Sequence, residues 1–383
     1  MASVAAGLDV LRREGFAPLA GRRVGLITNH SGLAGDGTPN VALFAAARSF
    51  TLVALFSPEH GFEGTLETDT IPDGVHAPTG LPLYSLYGAT RRPTPAMLEG
   101  LDALVFDIQD SGTRHYTYVS TLGYAMEEAA RLGLDFFVLD RPNPIDGLDI
   151  HGPVLDRGAE SFVGYHTVAL RHGMTVGEMA RMFAAERGLG LDPEVVAMEG
   201  WGRAMWFDAT SLPWVNPSPN IRSVDQALLY SGLGFLETTN LSVGRGTERP
   251  FEQYGAPWLD GRALAGRLAR YAIEGARVVP ADFVPSASTF AGQRCSGVRV
   301  VVVDRQRLNP IRLGLALARE LVLAYRDRWE AEKCGRLLGC QRTLEALLAG
   351  APLDEIEATF EPDLGEFRAR REGFLLYRED TRR

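Results

Sequence analysis

Residues 51–64, TLVALFSPEHGFEG, constrain the fold more than any other part of the chain. The run opens as five apolar residues, Leu52 to Phe56, and stops at Ser57-Pro58. A short, wholly apolar run closed by a turn signal is the mark of a strand buried on both faces of a parallel sheet. Pro58 has no N–H to give to a ladder, so the strand ends there. In open α/β sheets the ligand crevice lies at the carboxyl ends of the strands. Glu59 and His60 are therefore delivered to that edge beside Gly61, where a carboxyl and an imidazole can move protons. The competing role for Glu59 is to cap a helix or to pair with an arginine.

Three further apolar runs repeat the pattern at residues 22–29, 103–108 and 136–139, with helical stretches near 8–14, 40–48 and 119–132. Strand and helix alternate four times in the first 150 residues, which predicts a parallel sheet with right-handed crossovers. Each strand ends in polar residues at the same edge: Asn29-His30, Glu59-His60, Asp107 to Arg114, and Asp140-Arg141 with Asn143. Turn chemistry alone favours Asn and Asp at such positions, but four endings that each carry charge or imidazole point to a site.

Later segments are loop-rich. Residues 63–95 form a long polar, proline-containing excursion of the kind that is usually functional in a compact domain. It contains GLPLYSLYG, whose tyrosines either line a cleft or pack. Residues 175–188 predict a helix with Thr175 as N-cap and Glu178 completing a capping box. Trp201, Trp206 and Trp214 gather near WVNPSPN, which suits either a sugar ring or a buried aromatic patch. A helix over 223–236 runs into ETTNLSVGRGTERPFE, read as a functional loop. Beyond it come helices near 260–273, 311–326, 342–349 and 353–359, one strand over 297–304, and a docked amphipathic tail, FRARREGFLLY.

The 383 residues suffice for about two domains. The boundary is expected near Arg222, giving a catalytic domain over 1–222 and a smaller α/β domain over 223–383 that closes the cleft. A net charge of −9 with no basic run argues against nucleic acid or an anionic membrane as partner. No run of about 18 apolar residues occurs, so no membrane span is expected. The three cysteines include no CxxC pair, which suggests neither a zinc knuckle nor a redox couple. The first residues lack a basic n-region and a full apolar core, so the expectation is a cytoplasmic protein, or a secreted or periplasmic one had a signal been trimmed. No cofactor is implied, and a monomer or homodimer is expected.

Taken together, SPEHGFEG, DIQDSGTRHYTY, DRPNP, WVNPSPNI and GLGFLETTNLSVGRGTERPFE make the chain resemble the NamZ-type exo-acting β-N-acetylmuramidases over residues 7–377. The resemblance implies a Rossmann-like domain packed on a smaller α/β domain with the active site between them. It also implies removal of terminal N-acetylmuramic acid from the non-reducing end of peptidoglycan fragments, with Glu59 as the leading catalytic candidate.

Glycoside hydrolysis usually needs two carboxylates. With Glu59 as acid, Asp107, Asp110, Asp140 or Glu237 could be the second, or the substrate's own acetamido oxygen could attack. His60 could tune Glu59 or pack. Muramic acid carries a lactyl carboxylate, whose recognition favours a planar guanidinium from Arg114, Arg141 or Arg245. The remaining candidate saccharide contacts are Asn29, His30, Tyr116, Asp140, Asn143, Asn216, Asn220, Glu237 and Asn240. Two other classes compete. One is a muropeptide-binding protein with no catalytic need of Glu59. The other is a metal-dependent hydrolase built on His60, Asp107 and His115, for which no dense ligand motif exists.

Overall fold

The computed structural model describes residues 3–377. Its centre is β1 (Arg23–Thr28), buried at every position after Arg23. Parallel neighbours flank it: β2 (Thr51–Ser57) pairs Phe56 with Ile27, and the third apolar run pairs Asp107 with Thr28. In chain order the excursion supplies β3 (Gly74–His76) and β4 (Leu81–Ser85), followed by β5 (Ala103–Asp107) and β6 (Asp135–Leu139). A two-stranded ribbon, β7 (His151–Val154) and β8 (Ala169–Arg171), precedes β9 (Glu194–Val196). The seven-stranded sheet has the order β3-β4-β2-β1-β5-β6-β9, parallel throughout except for the edge strand β3. Without β3 this is the doubly wound order 3-2-1-4-5-6.

The four expected strands are present within a residue or two of their predicted ends. β4 was not anticipated, because Pro82 and the exposed-looking LPLYS carry no clear alternation. The capping box at Val176–Glu186 forms as expected: Thr175 Oγ1 accepts from the Glu178 N–H, and Glu178 Oε2 accepts from the Thr175 N–H at 3.0 Å. The expected helix over 223–236 stops at Leu233 and tightens into a 3-10 turn, Gly234–Thr238. Instead of one isolated strand, the later chain builds an antiparallel sheet from β10 (Gln253–Ala256), β11 (Ala276–Phe283) and β12 (Cys295–Val302), ordered β10-β12-β11. Among the described residues no helix is long and apolar enough to cross a membrane.

One apolar cluster covers one face of the large sheet and continues into the later chain, from Ile27 and Phe106 through Leu228 and Leu317 to Phe367. A smaller cluster, including Leu8, Leu26 and Phe44, seals the opposite face. The tail docks as expected. The helix Glu361–Glu372 buries Phe367 and Arg371, and Tyr377 Oη donates to Asp140 at 2.5 Å.

Arg114 ties the later chain to the strand ends. Its side chain is fully buried, and its two terminal nitrogens donate to four backbone carbonyls: Pro153 at 2.8 Å, Val168 at 3.1 Å, and Leu337 and Leu338 at 2.8 Å each. Burial pulls its pKa down to about 10, which still leaves it charged at neutral pH. Arg114→Met would strand those carbonyls without donors. The expected loss is about 3–5 kcal/mol of unfolding free energy in a denaturant titration, the range for breaking a buried charged network. A loss under about 1 kcal/mol would show that Arg114 does not hold the two parts together.

Candidate active site

Glu59 leaves β2 directly after the ladder stops, and the chain then turns sharply. His60 has a left-handed backbone with φ 69°, and Gly61 follows at φ 74°. Left-handed non-glycine residues cost energy and persist only where surroundings hold them. Here His60 Nδ1 donates to the Leu66 carbonyl at 2.8 Å, and the Leu66 N–H returns to the His60 carbonyl at 3.1 Å. The turn also needs Gly64 (φ 67°), because a Cβ there would lie 1.8 Å from the His30 ring. His30 in turn donates from Nε2 to the Asn216 carbonyl at 2.8 Å, and burial lowers its pKa. His30 and Asn216 thus brace the Glu59 loop from behind rather than face a ligand.

The loop forms one wall of a cavity of about 200 Å³. Glu59, His60, His115, Tyr116 and Thr117 come from the strand ends; Glu67, Asp69 and Tyr87 come from the excursion; Tyr230, Glu237, Arg245 and Phe251 come from the later chain. Thr117 Oγ1 donates to Glu59 Oε2, and the Tyr87 ring lines the cavity beside it. Burial, together with the nearby Glu59 charge, pushes Tyr87 up to about 12, so it stays a neutral donor, while Arg91 pulls the other way. The 3-10 turn after Leu233 swings Glu237 into the cavity. There Glu237 Oε2 accepts from Arg245 at 2.7 Å, and Arg245 also reaches Glu67 at 3.4 Å. The Asn220 amide donates to Glu67.

Several expected contacts lie elsewhere. Asp107 is wholly buried beneath the cavity; Arg141 Nε donates to it at 2.6 Å and Asn40 Nδ2 at 2.7 Å. Arg141 gives Nε to that pair and Nη1 to the Leu33 carbonyl, while its Nη2 is buried without a partner among the described residues. Asp140 is fully buried, and burial raises it to about 6 although Tyr377, Thr175 and the Gly177 N–H all donate to it. Asp110 accepts from the Gly112 N–H. Asn143 bridges the Met174 carbonyl and the Ile145 N–H, and Asn240 bridges the Arg328 carbonyl and the Glu330 N–H. Asn29 donates to Tyr118 Oη at 3.0 Å, which donates to the Pro217 carbonyl, so it orders the tyrosines behind Tyr116. Of the four second-carboxylate candidates, then, only Glu237 faces the cavity. Of the three arginines, only Arg245 does.

The set His60, Asp107 and His115 is not assembled, and among the described residues no group of three or more potential ligands is placed to hold a metal. The tryptophans are likewise not a platform. Trp201 and Trp206 are buried, and Trp214 packs on Phe207. The aromatic walls are tyrosines instead. Tyr87 was within reach of sequence reasoning, since GLPLYSLYG was flagged; its neighbour Tyr84 packs on Phe56. Thr117 lies within DIQDSGTRHYTY, whereas Glu67, Asp69 and Tyr230 carry no local signal that separates them from ordinary surface or core residues.

His115 lies at the floor, 3% exposed, with its ring against Tyr230 at 4.7 Å and neither nitrogen hydrogen-bonded. Burial, and then the charge of Arg114, push it down to about 3. An unfolded histidine takes up its proton near 6.5, so this neutral ring's stabilisation is complete above that pH and is lost as pH falls toward 3. At pH 5 the cost is about 2 kcal/mol. Urea titrations of the parent and His115→Asn at pH 7.5 and 5 should show the parent losing about that much more than the variant. Equal losses would mean that the imidazole is not held neutral.

The N-terminal family model of exo-β-N-acetylmuramidase NamZ matches residues 24–225, and its C-terminal counterpart matches residues 228–377. The peptidoglycan β-N-acetylmuramidase NamZ of Bacillus subtilis (strain 168) is 39% identical over 378 residues, covering 98% of this chain and 91% of that protein. Two crystal structures of DUF1343 family proteins from Bacteroides fragilis NCTC 9343 share the fold. One has a TM-score of 0.91 at 35% identity, over 98% of this chain and 99% of that one. The other has a TM-score of 0.81 at 28% identity, over 99% and 100%.

Proposed function

Since the chain belongs to the exo-β-N-acetylmuramidase NamZ family, we propose that it is a glycoside hydrolase releasing terminal N-acetylmuramic acid from the non-reducing end of peptidoglycan fragments. The observation that carries the proposal is Glu59 at the head of β2, facing the cavity while Thr117 holds its carboxyl. Thr117 and Tyr87 crowd the carboxyl into the cavity, and among the described residues no ion pair with a cation occupies it.

Glu59 acts as the general acid. It protonates the glycosidic oxygen as the bond from that oxygen to C1 breaks. Water then delivers hydroxide to C1, and its proton restores the acid. The positive charge that develops at C1 is met either by Glu237, the facing carboxylate, or by the substrate's own acetamido oxygen. In the second route Glu237, held by Arg245, orients the acetamido group instead. Tyr230, 3.4 Å from Glu237, and Tyr116 wall the sugar site.

Glu59→Gln keeps the shape and an acceptor for Thr117 but removes the proton. Turnover of a β-linked chromogenic N-acetylmuramide should fall by about 10²–10⁴. The melting temperature should hardly move, since a half-exposed cleft side chain contributes little to packing. Among aryl muramides, the variant's loss should shrink as the leaving phenol becomes more acidic and needs less protonation. Activity within a few-fold of the parent, or unfolding, would remove Glu59 from the acid role. The matching glucosaminide should be a poor substrate for the parent, and no hydrolysis of either compound would overturn the glycosidase reading.

A further inference from the structure

The cavity is strongly acidic for a site that takes an anionic sugar. Glu59, Glu67, Asp69 and Glu237 line it against a single lining cation, Arg245. That cation is already matched by two carboxylates, Glu237 and Glu67. Arg114 and Arg141 are buried and occupied by carbonyls and by Asp107. A substrate carboxylate entering here must find its counter-charge elsewhere.

Arg91 is placed to supply it. Its guanidinium lies over two adjacent rings, 4.7 Å from the centre of Tyr87 and 4.3 Å from that of Phe162. Those rings are 5.8 Å apart; Tyr87 lines the cleft, and Phe162 is the chain neighbour of the lining residue Val163. Arg91 is thus one phenol ring away from the cavity that Glu59 lines. Among the described residues the Arg91 guanidinium has neither an ion-pair partner nor a hydrogen-bond acceptor. The next residue shows the contrast. Arg92 lies over Tyr124 at 4.0 Å but is consumed by Glu127 and Glu128. Stacking on aromatic faces restricts a guanidinium and leaves its planar N–H fork for a carboxylate.

We propose that Arg91 is the specificity-determining residue that docks the carboxylate of the substrate at the rim of this cleft. The proposal rests on the muramidase reading of the same cavity. Arg245 then serves the protein, by holding Glu237, rather than the ligand. The carboxylate could belong to the lactyl group of a bare muramic acid or to the first residues of an attached stem peptide.

Calorimetric titration of the parent, Arg91→Gln and Arg92→Gln with N-acetylmuramic acid, N-acetylglucosamine and N-acetylmuramoyl-dipeptide tests it. The parent should prefer a carboxylate-bearing ligand over N-acetylglucosamine, and Arg91→Gln should lose about tenfold in that preference while binding N-acetylglucosamine unchanged. Loss confined to N-acetylmuramic acid, whose lactyl carboxylate is free, marks the lactyl group. Loss confined to the dipeptide compound marks the stem. Arg92→Gln should lower the melting temperature and leave the preference intact. In the chromogenic assay the same Arg91 change should raise KM with kcat held. Equal affinities of parent and Arg91→Gln for all three ligands, or an equal loss for N-acetylglucosamine, would overturn the assignment. A parent that discriminates through Arg91 yet hydrolyses nothing would sink the glycosidase reading and leave this one standing.

Discussion

Everything about the cleft depends on one buried cation. The guanidinium of Arg114 sits at the end of β5 and gathers carbonyls from residues 153 and 168 on one side and 337 and 338 on the other. A charge so deeply buried is tolerable only because those carbonyl dipoles replace water. In meeting that demand the chain brings Leu337 to the cavity and fixes His115, the next residue, at its floor. Arg114 therefore reads as a site residue in the sequence while acting as the clamp that makes the site possible.

A doubly wound sheet normally opens its crevice between the strands where the winding reverses. Here those strands are β1 and β5, and their ends are plugged. Asp107, Arg141, Asn40 and Thr28 fill the switch point with a buried network in which the carboxylate accepts from both Arg141 and Asn40. The ligand space is displaced toward β2 and β4 and roofed by the later chain. That displacement explains why Glu59, on β2, faces the cavity and Asp107, on β5, does not.

The strands were legible because burial on both faces leaves an unbroken apolar run, and Pro58 marked where the ladder stops. That ending placed Glu59 at the crevice edge, and the family resemblance made it the leading candidate. What could not be read was the fate of each charge. Arg91 and Arg92 are adjacent and chemically identical, yet one is neutralised by Glu127 and the other lies bare over two rings. Asp140 and Glu59 both follow strands, yet four donors surround the first. Most of the deciding partners are 35 to 237 positions away, and local pattern carries no trace of those. Of the antiparallel sheet only β12 left an apolar run to read; β4 and β11 lie largely on partly solvated surfaces and β10 is four residues long, so none of these shows a clear apolar run.

Because its walls come from distant parts of the chain, the cavity has an order of assembly in time. Glu59 leaves the ribosome about 280 residues before the Leu337 segment whose carbonyls hold Arg114, a lag of roughly 14–56 s at ordinary elongation rates. Through that interval the parallel sheet is able to form, yet the cavity lacks its last wall, and Glu59 faces open water. The cavity is in this sense among the last things the polypeptide completes. A chain cut short between the Glu59 loop and Leu337 would carry that loop complete and the cavity unfinished.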